Sequence, residues 1–101
     1  MNYLKNRPKP QVIICGNDIL ALGTIYAAQS LGLRVPDDLA VTGIGDFEVS
    51  EEVEPAITTV RIPANTIGTL GGSSLVQLIT SPQTAMKNRC CRVELVARAT
   101  C

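Results

Sequence analysis

The sequence predicts an α/β domain built on a parallel βαβ sheet. An apolar run at residues 12–15 is rich in β-branched residues and shows no polar alternation, which is typical of a fully buried strand. Helical spacing follows at once, with Asn17 or Asp18 available as the N-cap and Gly32 as a stop signal. A second apolar run at residues 39–44 also ends in a glycine-containing turn. A buried strand that turns directly into a helix is the first half of a parallel βαβ unit.

The composition is that of one small domain without a charge bias. The 101 residues include nine Lys plus Arg and nine Asp plus Glu, and they form no basic stripe, which argues against direct nucleic-acid binding by this segment. No apolar run approaches the roughly 20 residues of a membrane helix, and no secretory signal is visible. We therefore expect no membrane association.

The residue types favour a binding domain over an enzyme. The absence of histidine removes the commonest general base and the commonest metal ligand. The four cysteines follow no CxxC spacing, so we predict no zinc site and no cofactor, and Cys15 is expected to pack as a small hydrophobe. Only three aromatic residues are present, which argues against a base-stacking platform. A reduced, cytoplasmic chain fits this cysteine usage.

The first helix, predicted over residues 18–31 after an extended lead-in, is apolar nearly all the way round. A helix that is apolar on both sides needs two surfaces to cover it. One is the sheet, and the other is a partner subunit or a missing part of the domain. The alternative is that small residues such as Ala27 and Ala28 tolerate water.

The remaining elements follow from shorter signals. After the strand at residues 39–44 comes an acidic loop or short helix at residues 47–55, then a β-rich run at residues 57–62 that stops at Pro63. A second helix should begin near Pro63, although Gly71 and Gly72 in its middle each cost about 1 kcal/mol relative to alanine. A polar loop at residues 80–89 leads to a closing strand at residues 93–98.

Three polar residues stand at the carboxyl ends of the first two strands, the edge at which open α/β sheets bind ligands. They are Asn17, Asp18 and Asp46. Each also has a structural alternative, because Asn17 can act only as an N-cap and the two aspartates can stabilise turns. Arg61 follows the third strand and is interpreted as an ion-pair partner or a ligand contact. A dinucleotide loop is excluded by spacing, because the third glycine of GxGxxG would fall on Glu48.

Taken together, several segments resemble LacI/GalR-type bacterial transcription regulators. Residues 15–23, which read CGNDILALG, are similar to the family's xNDxxAxG segment. The similarity continues in order through residues 32–43, 54–61, 63–68 and 95–100, with family-like spacing. It therefore spans nearly the whole chain, and the series is more specific than any single motif in it.

The resemblance implies a partial type I periplasmic-binding-protein-like fold made of two Rossmann-like lobes. Residues 1–10 would be an extended lead-in and residues 11–60 part of the C-terminal lobe of the effector-binding domain. Residues 61–92 would belong to the N-terminal lobe, and residues 93–101 would return to the C-terminal lobe as a closing strand. The family's helix-turn-helix headpiece has no counterpart among these segments, so DNA binding is expected only through a missing headpiece.

The resemblance also implies partners and site residues. The expected partner is a small-molecule effector, a sugar or sugar acid, bound between the lobes and contacted by Asn17, Asp18 and Asp46. Glycine stands at position 45, where the family often has the first of two carboxylates. A homodimer surface is expected at four residues, namely Leu22, Ile25, Tyr26 and Val53.

The leading hypothesis is therefore a fragment of the effector-binding and dimerisation domain of a cytoplasmic transcription regulator. The ligand would act by shifting the population between two conformations. A periplasmic sugar-binding protein of the same fold is the alternative. A small α/β enzyme is a third reading, weakened by the absence of histidine, of a nucleophile elbow and of a phosphate loop.

Overall fold

A computed structural model describes residues 8–83 and 85–101. Its elements, in chain order, are β1 (Val12–Ile14), α1 (Asp18–Ser30), β2 (Ala40–Gly45), α2 (Val49–Glu52), β3 (Thr58–Arg61), α3 (Ala64–Thr80) and β4 (Glu94–Val96). Most of the predicted lead-in lies outside the described residues. The other elements appear where the sequence predicts them, and the acidic stretch contains the short helix α2.

The four strands form one sheet in the order β1-β2-β3-β4. The pairs β1–β2 and β2–β3 are parallel, whereas β4 runs antiparallel to β3. Helices follow β1, β2 and β3 in the chain, so the predicted α/β class is confirmed. Because β1, β2 and β3 run in the same direction, their carboxyl ends lie along one edge of the sheet.

Local backbone chemistry fixes both ends of α1. The Asn17 side-chain oxygen accepts a hydrogen bond from the Leu20 N–H at 2.9 Å, which caps the amino terminus. At the other end Gly32 has a φ of +74°, and the N–H groups of Gly32 and Leu33 donate to the carbonyls of Gln29 and Ala28. This pair of bonds is the Schellman motif, which glycine favours because it has no Cβ. The predicted start and stop signals are both confirmed.

The core is small and lies between α1 and the sheet. Its buried apolar residues come from the β1–α1 turn, from α1, from β2 with the residue before it, and from the residue before β3. They are Cys15, Ala21, Ile25, Ala28, Leu39, Val41 and Ile57. The prediction that Cys15 packs as a small hydrophobe is confirmed, since it is only 7% exposed.

The prediction that β1 is fully buried is wrong. Val12 is 44% exposed and Ile14 is 74% exposed. Strand β1 lies at the end of the strand order and pairs with β2 alone, and the described residues leave these two side chains largely uncovered. An apolar run therefore predicted the strand correctly but not what covers it.

The second helix and the chain after it form a separate compact unit, Ile62–Val93, while the rest of the described chain forms the other. None of the residues of α3 is buried. The apolar side of α3 borders an open groove of about 560 Å³ that is closed on its other side by residues 86–91. No residue of the predicted ligand site lines this groove. None of the helices in the described part of the chain has the length and apolar character needed to cross a membrane.

Candidate ligand-binding site

Two turns lie side by side at the carboxyl edge of the sheet. One joins β1 to α1 and carries Asn17 and Asp18, and the other follows β2 and carries Asp46. The strands β1 and β2 are direct parallel neighbours, and a bond of 2.8 Å from the Cys15 N–H to the Thr42 carbonyl extends their pairing to this edge. The sequence prediction that these two turns are adjacent is confirmed.

The carboxyl group of Asp18 holds the two turns together. It accepts hydrogen bonds from the Phe47 N–H at 2.7 Å, the Ser50 hydroxyl at 2.6 Å and the Thr59 hydroxyl at 2.5 Å. These donors belong to the turn after β2, to α2 and to β3. Asp18 is fully buried, and hydrogen bonds of this kind offset the cost of burying a polar group. The structure thus places Asp18 behind the edge, facing inward.

Gly43 makes room for this carboxyl group. A Cβ at position 43 would overlap the Asp18 Oδ1 atom and lie 3.0 Å from the Asp18 Cα. No rotamer change can relieve the second contact, because it is made by backbone. Strand β2 therefore requires glycine at the point where α1 begins beside it.

Asn17 is half-buried beside Asp18 and keeps one group available. Its side-chain oxygen is engaged in the helix cap, so the N-cap interpretation is confirmed. Its amide nitrogen donates to no atom of the described residues, which leaves two N–H donors at the edge. The two readings of Asn17 are thus compatible, since cap and ligand contact use different atoms.

Asp46 joins two arginines. Its Oδ2 accepts from Arg61 Nε at 2.6 Å and its Oδ1 accepts from Arg98 Nη2 at 2.7 Å. Desolvation raises the pKa of the Asp46 carboxyl, but hydrogen bonds from the two arginines more than offset it, so the pKa lies below its usual value of 3.8. Both oxygens of Asp46 therefore already have strong partners, and its side chain is only 12% exposed.

Arg61 is an ion-pair partner, as one of its two interpretations expected. Its side chain is 49% exposed, and Nη1 lies 3.5 Å from the Glu94 carboxylate, which is itself 69% exposed. The guanidinium pKa is raised, chiefly by the hydrogen bond to Asp46. Arg61 therefore stands half in solvent at the end of β3, held from one side by Asp46.

Arg98 was missed by the sequence reasoning. Besides Asp46 it contacts the Ile57 carbonyl at 3.0 Å, and its backbone N–H donates to the Thr58 hydroxyl at 2.8 Å. Its side chain is only 13% exposed. No local signal could have paired it with Asp46, because the two residues are 52 positions apart in the chain.

The turn after β2 also presents an aromatic ring. Gly45 has a φ of +125°, and a Cβ there would lie 2.5 Å from Cε1 of Phe47. The ring therefore occupies the direction that a side chain at position 45 would take. Phe47 is 44% exposed and is not part of the core.

The four residues expected at a dimer surface occupy different environments. Tyr26 is 57% exposed on the outer side of α1. Leu22 and Val53 are half-buried and pack against the edge of the core. Ile25 is only 1% exposed, so its expected place at an interface is corrected. Successive helix positions point about 100° apart, at 3.6 residues per turn, so Ile25 can face the sheet while Tyr26 faces away from it.

A mostly parallel sheet with polar side chains at its carboxyl edge is typical of α/β domains, which bind ligands at that edge. Comparison with known proteins narrows this class. Residues 2–101 match the family model of the periplasmic binding protein-like domain. The chain therefore belongs to this family, in the form carried by LacI-family transcription regulators, and it is part of their effector domain.

Three relatives illustrate the similarity. The probable HTH-type transcriptional repressor ExuR of Bacillus subtilis is 40% identical over 75 residues, which cover 74% of this chain and 22% of that protein. The repressor PurR of Pectobacterium atrosepticum is 40% identical over 78 residues, covering 77% of this chain and 23% of that protein. A solved complex of the transcriptional regulator CelR with cellobiose matches with a TM-score of 0.89 and 29% identity, covering 96% of this chain and 30% of that one.

The chain thus spans less than a quarter of the length of the two repressors. These homologues are transcriptional repressors, which are not enzymes.

Proposed function

We propose that this chain supplies the carboxyl-edge half of an effector site in a bacterial transcription regulator. The ligand is a small molecule of the sugar or sugar-acid class. The observation that carries this proposal is the Asn17 amide, whose nitrogen has no partner within the described residues at an edge built by three parallel strands. The cellobiose complex of the related regulator CelR supports the ligand class.

Each predicted site residue has its own role in this proposal. Asn17 donates a hydrogen bond to a ligand oxygen. Asp18 positions Asn17 by fixing the start of α1 against β3 and the turn after β2. Asp46 orients Arg61, whose half-exposed guanidinium offers a second donor. The predicted ligand contact of Asp18 is thus replaced by a positioning role, because a fully buried group does not touch a ligand at the surface.

The same proposal assigns the lobes and the mechanism. Residues 11–61 and 94–101 belong to the C-terminal lobe, and residues 62–93 belong to the N-terminal lobe. Both boundaries lie one residue later than the sequence predicts, because Arg61 pairs with Gly45 and Glu94 within the sheet. Ligand binding stabilises one conformation of a cytoplasmic regulator over another, and a DNA-binding headpiece elsewhere in the regulator responds. The repressor function of the curated relatives favours this assignment over a periplasmic sugar-binding protein.

The Asn17 proposal is tested by separating its two functions. In Asn17→Ser the hydroxyl can still cap α1, but the amide donor is lost. We expect the free energy of unfolding to change by less than about 0.5 kcal/mol, because serine is as good a cap as asparagine. Ligand affinity should fall about three- to tenfold, the cost of one hydrogen bond. Calorimetric titration of the complete gene product with cellobiose, glucose and glucuronate measures the affinity.

Gln29→Ser is the control, because Gln29 carries an exposed amide side chain in the last turn of α1, at the opposite end of the helix from Asn17. It should leave the affinity unchanged. Asn17→Ala should lose affinity as Asn17→Ser does and also about 1 kcal/mol of stability, because the cap is lost. Unchanged ligand affinity in Asn17→Ser would contradict the proposal.

The outer side of α1 is proposed as part of a homodimer surface, with Tyr26, Leu22 and Val53. Tyr26 is supported by its exposure beside other uncovered apolar residues, Ile19 at 55% and Leu20 at 58%. Patches of this kind are typical of interaction surfaces. We expect Tyr26→Glu to shift the complete gene product from dimer towards monomer in sedimentation-equilibrium measurements, because a charge would be desolvated in the interface. A wild-type protein that is monomeric at all concentrations would refute this part of the proposal.

A further inference from the structure

We infer that the Phe47 ring is a stacking surface for a cyclic ligand and that Phe47 is a specificity-determining residue of the site. The inference rests on the proposed function and narrows its ligand class. The ligand is a ring that presents a C–H face to Phe47 and oxygen acceptors to Asn17. Polyols and sugar acids that have an open chain are excluded, because they lack such a face, whereas sugar acids that form a ring remain possible ligands.

The Phe47 ring is held in place from two directions, which is the first observation that supports this inference. Its backbone is anchored by the 2.7 Å bond from the Phe47 N–H to Asp18, which is itself fixed by Ser50 and Thr59. Its ring lies over Gly45, where a Cβ would come within 3.0 Å of Cδ1 and 3.2 Å of Cζ. A ring packed this closely on backbone is ordered before any ligand arrives, which lowers the entropic cost of binding.

The second observation is that the apolar Phe47 ring is exposed among polar side chains. Phe47 is 44% exposed, although it belongs to a turn whose neighbouring side chains are polar. Ligand pockets combine apolar or aromatic surface with a few polar groups that fix orientation. At this edge Phe47 supplies the aromatic surface, and Asn17 and Arg61 supply the polar groups.

The third observation is that the acceptor oxygens of Asn17 and Asp46 are already hydrogen-bonded, whereas donors of the site are still available. The Asn17 oxygen accepts from Leu20, and both oxygens of Asp46 accept from arginines. Of the residues placed in the site, Asn17 and Arg61 keep donors free of strong hydrogen bonds, namely the Asn17 amide and the remaining N–H groups of the half-exposed guanidinium, which also lies 3.5 Å from the exposed Glu94 carboxylate. A ligand that fits them presents acceptor oxygens, and its remaining surface lies against an aromatic ring. A pyranose has both features, since its ring and hydroxyl oxygens accept while its C–H face is apolar.

The test uses two pairs of ligands that differ in having a ring. Glucose and glucuronate are cyclic, whereas glucitol and gulonate, which are formed from them by reduction of C1, have no ring. Each is titrated into the complete gene product by calorimetry. We expect at least one cyclic probe to bind, and its open-chain counterpart to bind at least tenfold more weakly.

Three variants identify the contribution of the ring. Phe47→Leu keeps an apolar side chain on Gly45 but removes the aromatic face, and it should weaken binding of the cyclic probe about three- to tenfold. Phe47→Tyr should bind within twofold of the wild type, because the ring is retained. Phe47→Trp adds a fluorophore at the proposed stacking position, and subtracting the emission of the wild type isolates its signal. Its emission should change on adding the cyclic probe and stay constant on adding the open-chain probe.

The outcomes separate this inference from the proposed function. Should binding depend on Asn17 while Phe47→Leu leaves it unchanged, the stacking role is refuted and the proposed function stands. Equal or tighter binding of an open-chain probe also overturns the inference. Binding that is insensitive to both Asn17→Ser and Phe47→Leu contradicts the inference and the proposed function together, as does the absence of binding by cellobiose and by all four of these probes.

Discussion

Replacing Asp18 by alanine is expected to lower the free energy of unfolding by about 3–5 kcal/mol, because each buried donor left without a partner costs about 1–3 kcal/mol. The variant leaves the hydroxyls of Ser50 and Thr59 and the N–H of Phe47 without their common acceptor. Buried donors without a partner incur their full desolvation cost, which is why the loss exceeds that of one ordinary hydrogen bond. Urea denaturation followed by circular dichroism measures the change.

Asp37→Ala is the matched control for this prediction. Asp37 lies in the connection between α1 and β2, and its side chain is 68% exposed at 3.9 Å from Arg34. Exposed pairs contribute little, so the free energy of unfolding should change by less than about 0.5 kcal/mol. A loss for Asp18→Ala as small as that of the control would show that the Asp18 network does not hold the two turns together.

Gly43→Ala should be almost as damaging, with a loss of about 3 kcal/mol, at the upper end of the range for overpacking. The added methyl group would overlap the Asp18 carboxyl and press on its backbone. The carboxyl group cannot rotate away without giving up its three hydrogen bonds. Denaturation of the variant under the same conditions measures the loss.

Gly23→Ala provides a control with the opposite sign. Gly23 lies in α1, and nothing lies within 4 Å of the position its Cβ would take. Alanine should therefore stabilise the protein by about 0.5–1 kcal/mol through helix propensity. The double variant with Asp18→Ala and Gly43→Ala should lose less than the sum of the single losses, because the carboxyl group that Gly43→Ala displaces is gone. Strict additivity would contradict a direct clash between the two positions.

The sequence alone predicted the features that depend on residues close together in the chain. Asn17 and Gly32 predicted both ends of α1, since a cap and a left-handed stop act within one helical turn. The adjacency of the first two strand ends also followed, because a βαβ unit is parallel and brings them to one edge.

Features that depend on residues far apart in the chain could not be predicted from the sequence. Asn17 and Asp18 are adjacent, and only donors 29 to 41 positions away decide that Asp18 turns inward. The pairing of Asp46 with Arg98 has the same origin. Ile25 and Tyr26 were indistinguishable because α1 is apolar all round, so its pattern did not say which side meets the sheet. The exposure of β1 depends on what packs against it, which its own residues do not encode.

We propose that the Asp18 network presents Asn17 to a small ligand at the shared edge of β1 and β2. Nuclear magnetic resonance tests it most directly, by following the Asn17 side-chain amide of the complete gene product during titration with the probe that binds tightest. We predict that this resonance shifts together with the backbone amides of Asp46 and Phe47, while those of Asp37 and Asp38 shift much less, because they lie where α1 ends and before β2 begins, opposite the carboxyl edge. Saturating binding that leaves the Asn17 amide and the turn after β2 unshifted would contradict the account.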